Sequence, residues 1–556
     1  MRAVARGALL LCVGQAACGG GQTRADPLDS GWDDTDGREL AAFIAAWKPP
    51  AVQPTPFAVA GLADDQTLVG RGRSAWTFTY PFDSRPILAG GVVVGMGGGE
   101  VVAVDVQTGA KMWARDGWGY LRGVGDDGRV TVLSAEALNG SHSLVLAVDR
   151  QGRTVRQIYE RASIGTPTVF DDFAFLPYGR RWVVVFDLIE GREVARVVSR
   201  SPVSRSLQLG SELYFGERNR ALLFDASIVA ARDEGGTATG PSGLDFPGEP
   251  LWLLPGDVPR PLAAIRHDSV RYVHRPRRWS ALLYQNIVVG LTEDGRVRWL
   301  HQNEAPYVGS YAAPDHLVLC DRAGRVEWLT ADEGRLVATR AVGRALRTCE
   351  VVAESRPATG PPAGPAPPLE QQFRAVLSRA DDTHLPLLLE LLRRLDRLPS
   401  AAATRGLLAV TENRGASRAA RRLAEVAEEH LARRSEGLTP AVVDALRTWS
   451  ERWQPTALPI ATLADLARRH RIREAAGPLA RGLNHPYALP PRQRAIALAL
   501  EALATSEHRM AISLFFNRFR CAEGPPPLRE AVAAAGRTLR RLGAEGSERR
   551  GPCASR

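Results

Sequence analysis

Short apolar runs separated by turn residues fill the chain between residues 70 and 350. The clearest copy, Trp76–Trp113, contains the runs VVVG and VVAV, with glycines at the junctions. Runs that are apolar at successive positions predict strands buried on both faces. Similar runs recur along the chain, and Asp149, Asp187 and Asp225 follow them at intervals of 38 residues. A regular period of this length, filled with strands, predicts the blades of a β-propeller.

The predicted propeller spans residues 70–353, and a blade of about 40 residues gives about seven blades. The irregular stretch 231–261 is interpreted as an insertion. The strand that closes the ring is predicted within 58–70 or 344–353. In each copy an aspartate can accept hydrogen bonds from turn amides, and a glycine supplies a positive φ. Tryptophans at strand ends are expected to fill the space between blades: Trp76, Trp113, Trp182, Trp299 and Trp328.

The copy Pro86–Trp113 reads PILAGGVVVG, then VVAVDVQTG, and ends in a tryptophan. This pattern resembles the PQQ-like, or quinoprotein-type, β-propeller repeat. The resemblance implies a propeller, and in the dehydrogenases of that family it implies a vicinal cysteine pair, a catalytic aspartate and calcium ligands. No two cysteines are adjacent in this sequence, and Asp187 and Asp225 stand in the turn position of the repeat. We therefore predict no catalytic residue, no cofactor and no metal ion.

Strand patterning stops at the Pro/Gly-rich stretch 354–368, which is predicted to be a linker. Beyond it leucines recur at helical spacing with arginines on the opposite face, as in LPLLLELLRRLDRL. Residues 369–545 are predicted to form an α-helical repeat domain (an α-solenoid) or, alternatively, an irregular bundle. The segment Ala475–Leu483 resembles HEAT-type repeats, and 546–556 is predicted to be a disordered tail. Because each module has its own apolar pattern, we expect the two to fold independently.

The first residues have the layout of an export signal. Two arginines precede a short apolar segment and small residues, which predicts a signal peptide over 1–17. Cys18 follows QAA and precedes three glycines, and so resembles the lipidated cysteine of bacterial lipoproteins, although Gln15 departs from that pattern. Residues 18–69 are polar and rich in Gly and Pro, which predicts a tether. We expect an exported, membrane-anchored lipoprotein of the outer membrane; cleavage without a lipid is the alternative.

Charge is unevenly distributed along the 556 residues. The net charge is +10, and from residue 366 onward 31 arginines stand against 20 acidic residues. This excess predicts either a solvated helical surface or contact with anionic lipid or polysaccharide. Within the propeller, the sequence HDSVRYVHRPRR supplies a candidate anion patch: Arg271, Arg275, Arg277 and Arg278. An exposed loop between blades is the alternative interpretation, and no feature predicts a nucleic-acid partner.

Four cysteines follow the predicted tether: Cys320, Cys349, Cys521 and Cys553. The oxidising periplasm permits disulfides, and four cysteines allow three pairings. Cys320 and Cys349 are about one propeller repeat apart, so neighbouring blades could place them together. No CxxC motif and no His/Cys cluster at zinc spacing occurs in the sequence. The motifs GxSxG, HExxH and the phosphate-binding loop are also absent from it.

These patterns predict a non-catalytic binding or scaffold lipoprotein of the bacterial cell envelope, whose propeller and helical-repeat surfaces hold protein partners. In its anchor and propeller the chain is similar to the scaffold lipoproteins of outer-membrane protein assembly, but the helical third is not part of that resemblance. Two alternatives remain at this point. One is a quinone- or metal-dependent oxidoreductase, and the other is a ligand sensor or polysaccharide-binding surface protein.

Overall fold

The computed structural model describes residues 57–543 as a ring of β-sheets followed by α-helices. The predicted signal peptide, Cys18, the insertion at 231–261 and the predicted tail lie outside the described residues. Within 57–543 the following residues are also outside the description: 171, 199–201, 210–211, 218–219, 224–269, 276–277, 293, 354–365, 380, 399, 416, 436 and 453–458.

The strands of the described residues form seven sheets, and each sheet is one blade of a propeller. Blade 1 contains, in spatial order, β27 (Thr348–Val352), β1 (Ala58–Leu62), β2 (Leu68–Arg71) and β3 (Ala75–Phe78). Blade 2 contains β4 (Ile87–Ala89), β5 (Val92–Gly97), β6 (Glu100–Asp105) and β7 (Lys111–Asp116). Blade 3 contains β8 (Tyr120–Asp126), β9 (Val130–Glu136), β10 (Ser143–Asp149) and β11 (Thr154–Glu160). Blade 4 contains β12 (Thr168–Phe170), β13 (Phe173–Tyr178), β14 (Trp182–Asp187) and β15 (Arg192–Val198). Blade 5 contains β16 (Arg205–Leu209), β17 (Glu212–Glu217) and β18 (Arg220–Leu223). Blade 6 contains β19 (Val270–Arg275), β20 (Trp279–Tyr284), β21 (Ile287–Leu291) and β22 (Val297–Gln302). Blade 7 contains β23 (Tyr307–Ala312), β24 (His316–Asp321), β25 (Arg325–Thr330) and β26 (Leu336–Ala341).

The ring closes by pairing the two ends of the propeller. β27 pairs antiparallel with β1, and Val351 stands opposite Val59 in this ladder. Closure therefore uses strands within both stretches where it is predicted. The predicted boundary at residue 70 is too late, because β1 and the first half of β2 lie inside the range assigned to the tether. Their apolar side chains are buried, as in Val59 and Leu68, so this segment belongs to the propeller core.

Neighbouring strands of a blade run antiparallel, so their connections fall on two rims. The upper rim, as we name it, carries the loops between blades and the turns between the second and third strands of each blade. The lower rim carries the remaining turns. The chain enters β1 and leaves β27 at the lower rim, where the Phe57 ring lies 4.8 Å from the Trp328 ring.

Turn residues and tryptophans lock adjacent blades together. Trp299 of blade 6 is buried, and its indole Nε1 donates to the Ala331 carbonyl of blade 7 at 2.9 Å. The same ring covers Gly334, whose φ is +63° and where a Cβ would overlap the indole. Asp105 accepts the backbone amide of Thr108 at 2.8 Å in the corresponding turn of blade 2. The predicted structural roles of the turn aspartates and tryptophans therefore hold at these positions.

Ten α-helices follow the propeller in the described residues: α1 (Leu369–Ser378), α2 (Leu385–Asp396), α3 (Ala401–Glu412), α4 (Arg418–Arg433), α5 (Leu438–Glu451), α6 (Ile460–Arg469), α7 (Ala476–Leu483), α8 (Pro490–Leu503), α9 (Arg509–Phe519) and α10 (Pro526–Arg541). Each helix packs against the second helix after it, which produces two layers, one of odd-numbered and one of even-numbered helices. This arrangement is that of an α-solenoid. None of the described helices combines the length and the apolar character needed to cross a membrane.

A repeated contact joins the ends of the even-numbered helices. His470, after α6, donates from Nε2 to the Ala432 carbonyl near the end of α4 at 3.3 Å, 38 residues earlier. Arg541, at the end of α10, donates to the Ala504 carbonyl beyond α8 at 2.9 Å, 37 residues earlier. Arg434 makes the same contact to the end of α2. Carbonyls at a helix C-terminus lack intrahelical partners, so these side chains satisfy them and fix the spacing of the repeats.

Candidate binding surfaces

Blade 6 is buried on both faces, but by different parts of the molecule. Along β20, Ala281 and Leu283 point into the core shared with blade 7. The alternate residues Leu282 and Tyr284 point the opposite way, into the core of the helical region. The period-two alternation of a strand produces this division. The expectation that the two modules fold independently is therefore wrong in its premise, because the leucine stripes of the helices also bury against the propeller.

Polar contacts border this apolar junction. The Tyr284 hydroxyl donates to the Thr383 carbonyl at 2.7 Å. The backbone amide of Leu300, on the outer strand of blade 6, donates to the Gln372 side chain of α1 at 2.7 Å. An amide of an outer strand otherwise lacks a ladder partner. The helical region thus covers both the face and the edge of this blade.

A buried ion pair lies at the same junction. Arg394 of α2 has a side chain only 7% exposed, and it donates to the Glu390 carboxylate at 3.2 Å. Arg394 also donates to the Gly295 carbonyl of blade 6 at 2.9 Å. Burial lowers the pKa of the Arg394 guanidinium, and the Glu390 carboxylate opposes this effect. The charged form of Arg394 is therefore stabilised by Glu390 in the helical region and by the Gly295 carbonyl in the propeller.

A channel runs through the centre of the ring and encloses about 1550 Å³. Its walls come from the inner strands, and several lining residues are charged. Many of these charges are paired within the propeller: Arg85 with Glu350, Arg122 with Glu136, and Arg150 with Asp126. The channel is therefore wide, and these charges of its lining are neutralised in pairs.

Asp126 is the most buried carboxylate of the channel wall. It accepts hydrogen bonds from the Gly91 amide and the Arg150 guanidinium, both at 2.9 Å, and from the Thr131 hydroxyl at 2.8 Å. Burial raises the pKa of Asp126, against the lowering effect of Arg150 and the hydrogen bonds. Because Gly91 belongs to blade 2 and Asp126 to blade 3, this carboxylate links two blades.

Aromatic and apolar side chains are exposed on the upper rim of blade 3. Tyr120 and Tyr159 are each 58% exposed, and Leu138 is 74% exposed. The ring of Trp118, in the loop from blade 2, lies 5.9 Å from that of Tyr159 in an edge-on arrangement. We name these four residues the aromatic rim. Exposed aromatic groups of this kind mark sites of association.

The candidate anion patch does not form one surface. Arg275 is 1% exposed and pairs with Glu212, and it also donates to the Ala312 carbonyl at 3.3 Å. Arg271 and Arg278 are exposed but lie at opposite ends of strand β19, and Arg277 lies outside the described residues. The prediction is corrected for Arg275, whose charge is neutralised inside the propeller.

Cys320 and Cys349 are joined by a disulfide, with their Cα atoms 6.4 Å apart. Cys320 belongs to β24 of blade 7, and Cys349 belongs to the closing strand β27 of blade 1. The bond therefore crosses the seam where the ring closes. Cys18 lies outside the described residues, so its lipidation stays a prediction. No group of three or more metal-binding side chains occurs among the residues that the structure describes.

The aromatic rim was not singled out from the sequence. Trp118 lies in the short loop between β7 and β8, and Tyr120 is the first residue of β8. The other tryptophans predicted for this repeat are core residues, and that pattern concealed Trp118, which is only half-buried. The available signal was the position of Trp118 between two glycines, and not at a strand end.

No protein-family model matches this sequence, and no curated protein matches it. Among solved structures, the chain is similar to BamB from Moraxella catarrhalis, with 16% identity, 48% of this chain and 79% of that chain covered, and a TM-score of 0.28. It is also similar to AztD from Citrobacter koseri, with 11% identity, 54% and 99% covered, and a TM-score of 0.31. For the computationally designed protein Ika8, the identity is 11%, the coverage 54% and 91%, and the TM-score 0.32. The propeller fold itself is established by the seven described sheets and the closing strand pair.

Proposed function

We propose that the protein is a non-catalytic scaffold of the bacterial cell envelope, in which a propeller and an α-solenoid hold protein partners in a fixed relative position. The observation that carries this proposal is the apolar core shared by blade 6 and the helices. Large apolar junctions hold two modules as one body, whereas small polar ones permit relative motion. A shared core of this kind suits a protein that positions two partners.

The chemistry of the channel supports binding over catalysis. A general acid or base must bring its carboxyl group to within hydrogen-bonding distance of the substrate. Asp126 and Glu136 are engaged by arginines of the propeller. Asp105, in the turn position of the repeat, accepts hydrogen bonds from its own turn. These groups have structural tasks, which supports a non-catalytic role.

The predicted lipid on Cys18 would hold the protein at the membrane through the tether that precedes Phe57. The chain enters the propeller at the lower rim, where the Arg340 guanidinium lies 5.2 Å from the centre of the Phe57 ring. An anchor that pulls on the lower rim leaves the upper rim free for partners. We expect Cys18→Ser to release the protein from the membrane in detergent phase partitioning. Retention of this variant in the detergent phase would contradict the anchor.

The scaffold role is tested by purifying the tagged full-length protein from detergent-solubilised membranes after chemical cross-linking. We expect envelope proteins in stoichiometric amounts, and we expect no absorption band in the spectrum of the purified protein beyond those of its aromatic residues. A stoichiometric bound quinone with dehydrogenase activity would contradict the proposal and favour the oxidoreductase. Saturable binding of a polysaccharide without any protein partner would favour the surface sensor.

A further inference from the structure

The aromatic rim exposes side chains that the propeller does not bury. Tyr120, Leu138 and Tyr159 are all more than half exposed. They lie on the upper rim, the one opposite the entry of the tether. Tyrosine and tryptophan are the residues most often found at the energetic centres of protein interfaces. Their exposure in the free protein is therefore expected if they become buried against a partner.

The loop that carries Trp118 and Tyr120 is held in place before any partner binds. Gly119 has a φ of +66°, and a Cβ there would overlap the Glu136 carbonyl oxygen, so the loop lies directly on blade 3. The Gly117 amide donates to the Gly99 carbonyl at 2.6 Å. A preformed loop loses little conformational entropy on binding. The site therefore has the rigidity that a docking surface requires.

Carboxylates border the aromatic rim on the side of blade 2. Asp83 and Asp116 are exposed, and Glu100 is half-buried with one oxygen 3.0 Å from the Tyr80 hydroxyl. All three lie at the upper rim, in or beside its loops and turns. By contrast, the nearby Arg122 is paired with Glu136. The border is therefore acidic on the side of blade 2, while the exposed Arg161 follows Tyr159 on the side of blade 4. A complementary partner carries basic residues next to its apolar ones where it faces blade 2.

We propose that the aromatic rim is the docking site for a protein segment that presents apolar side chains flanked by lysine or arginine. This inference rests on the proposed scaffold function and gives it a surface and a partner chemistry. The apolar side chains pack on Tyr120, Leu138 and Tyr159, and the basic ones face Asp83 and Asp116. Trp118 supports the Tyr159 ring at the centre of the site.

Model peptides test the chemistry of the site directly on the full-length protein. Three synthetic peptides of equal length are used: one alternates leucine and arginine, one leucine and glutamate, and one serine and arginine. We expect the leucine–arginine peptide to bind most tightly, and its affinity to fall at least about tenfold in Tyr120→Ala/Tyr159→Ala. Equal binding of the three peptides, or unchanged binding by the tyrosine variant, would overturn the proposal.

Two matched variants separate the aromatic from the acidic contribution. Ile189 is 63% exposed on the lower rim, so Ile189→Ala removes an equally exposed apolar group and should leave the affinity unchanged. Asp83→Asn/Asp116→Asn should weaken binding less than the tyrosine pair, and this loss should disappear at high salt. Equal losses of affinity from Ile189→Ala and from Tyr120→Ala/Tyr159→Ala would show that any exposed apolar group suffices, and would contradict the proposed site.

A photo-reactive amino acid at position 120, or at position 189 as control, tests the site in cells. We expect adducts from position 120 only, and mass spectrometry should place them in peptides that combine apolar and basic residues. Adducts in acidic or uniformly polar peptides, or glycan adducts, would overturn the proposed partner chemistry. If cross-linking and purification recover the same envelope proteins with Tyr120→Ala/Tyr159→Ala as with the unaltered protein, this site is wrong while the scaffold function stands.

Discussion

The hydroxyl of Tyr284 donates a 2.7 Å hydrogen bond to the backbone carbonyl of Thr383, and this bond joins the end of a propeller strand to the segment before helix α2. Burial raises the pKa of Tyr284, so the phenol stays a neutral donor at physiological pH. The bond lies at the border of an apolar core formed by blade 6 and the helices. A propeller blade that is completed by helices makes the two modules one structural unit.

The buried pair at this junction should be sensitive to the loss of one partner. Glu390→Leu leaves the Arg394 guanidinium buried beside the Gly295 carbonyl alone, which should cost about 3–5 kcal/mol in the free energy of unfolding. Glu390→Leu/Arg394→Leu should cost less than the single substitution. The exposed pair Arg422–Glu425 is the control, since Glu425→Leu should cost less than about 1 kcal/mol. Urea denaturation measures all three, and a double variant less stable than the single one would refute this account.

Two glycines with positive φ separate backbone strain from packing. Gly334 has a φ of +63° and lies under the Trp299 ring, whereas Gly343 has a φ of +98° and no atom within 4 Å of the point where a Cβ would lie. Alanine at either position adds about 1–2 kcal/mol of backbone strain. Gly334→Ala should lose more stability, because the new methyl group must also displace the indole. Thermal unfolding of the two variants measures the difference, and equal midpoints would show that the Trp299 contact contributes nothing.

The contact between blades 6 and 7 through Glu327 should depend on pH. Burial acts to raise the pKa of Glu327, but hydrogen bonds from His301 and Tyr307 outweigh it, so this pKa lies below its ordinary value. A carboxylate with a lowered pKa stabilises the fold above its unfolded-state pKa of about 4.3, and this stabilisation disappears as the pH falls through the folded-state pKa. Glu327→Gln should therefore lose more stability at about pH 7 than at about pH 3.

Urea denaturation at these two pH values compares Glu327→Gln with the unaltered protein. The control is Glu333→Gln, because Glu333 is exposed and lies 3.9 Å from the Arg335 side chain. The control should change stability little at either pH. A loss in Glu327→Gln that is the same at both pH values would exclude the proposed titration of this carboxylate.

The disulfide at the seam should stabilise the closed ring. It links two residues separated by 29 positions, and a loop of this size gives about 2–4 kcal/mol through restriction of the unfolded chain. Cys320→Ala/Cys349→Ala should lower the free energy of unfolding by this amount. Amide exchange should increase most in β27, because the bond ties this strand to blade 7. Increased exchange spread evenly over all blades would argue against a specific role at the seam.

The sequence revealed the propeller because its inner strands are apolar at successive positions, and because each turn repeats its aspartate and glycine. It located the closing strand only to within 58–70 or 344–353, and the predicted boundary at residue 70 leaves β1 outside the propeller. The residues of β1 follow a proline-rich stretch and precede the polar turn ADDQT, so the local pattern resembles a tether. Their burial depends on pairing Val59 with Val351, and no local window contains both residues.

The surfaces were harder to predict than the blades. The apolar run ALLY along β20 indicates that both faces are buried, but it cannot show that a helix covers one of them. Similarly, Arg275 stands among exposed arginines in the sequence, yet its partner Glu212 is 63 residues away. The aromatic rim was missed for a third reason, since one residue type serves both core and surface in this repeat. In each case the deciding contact is distant along the chain.

The central claim is that the helices complete blade 6, and amide hydrogen exchange tests it most directly. The exchange of β21 and β22 is compared between the full-length protein and a fragment that ends at residue 353. In the full-length protein we expect these strands to be protected like β24 and β25, with the Leu300 amide exchanging slowly because Gln372 accepts its hydrogen bond. In the fragment we expect this protection to be lost, or the fragment to aggregate through the uncovered face of blade 6. A soluble, monomeric fragment with the same protection in β21 and β22 would contradict the claim.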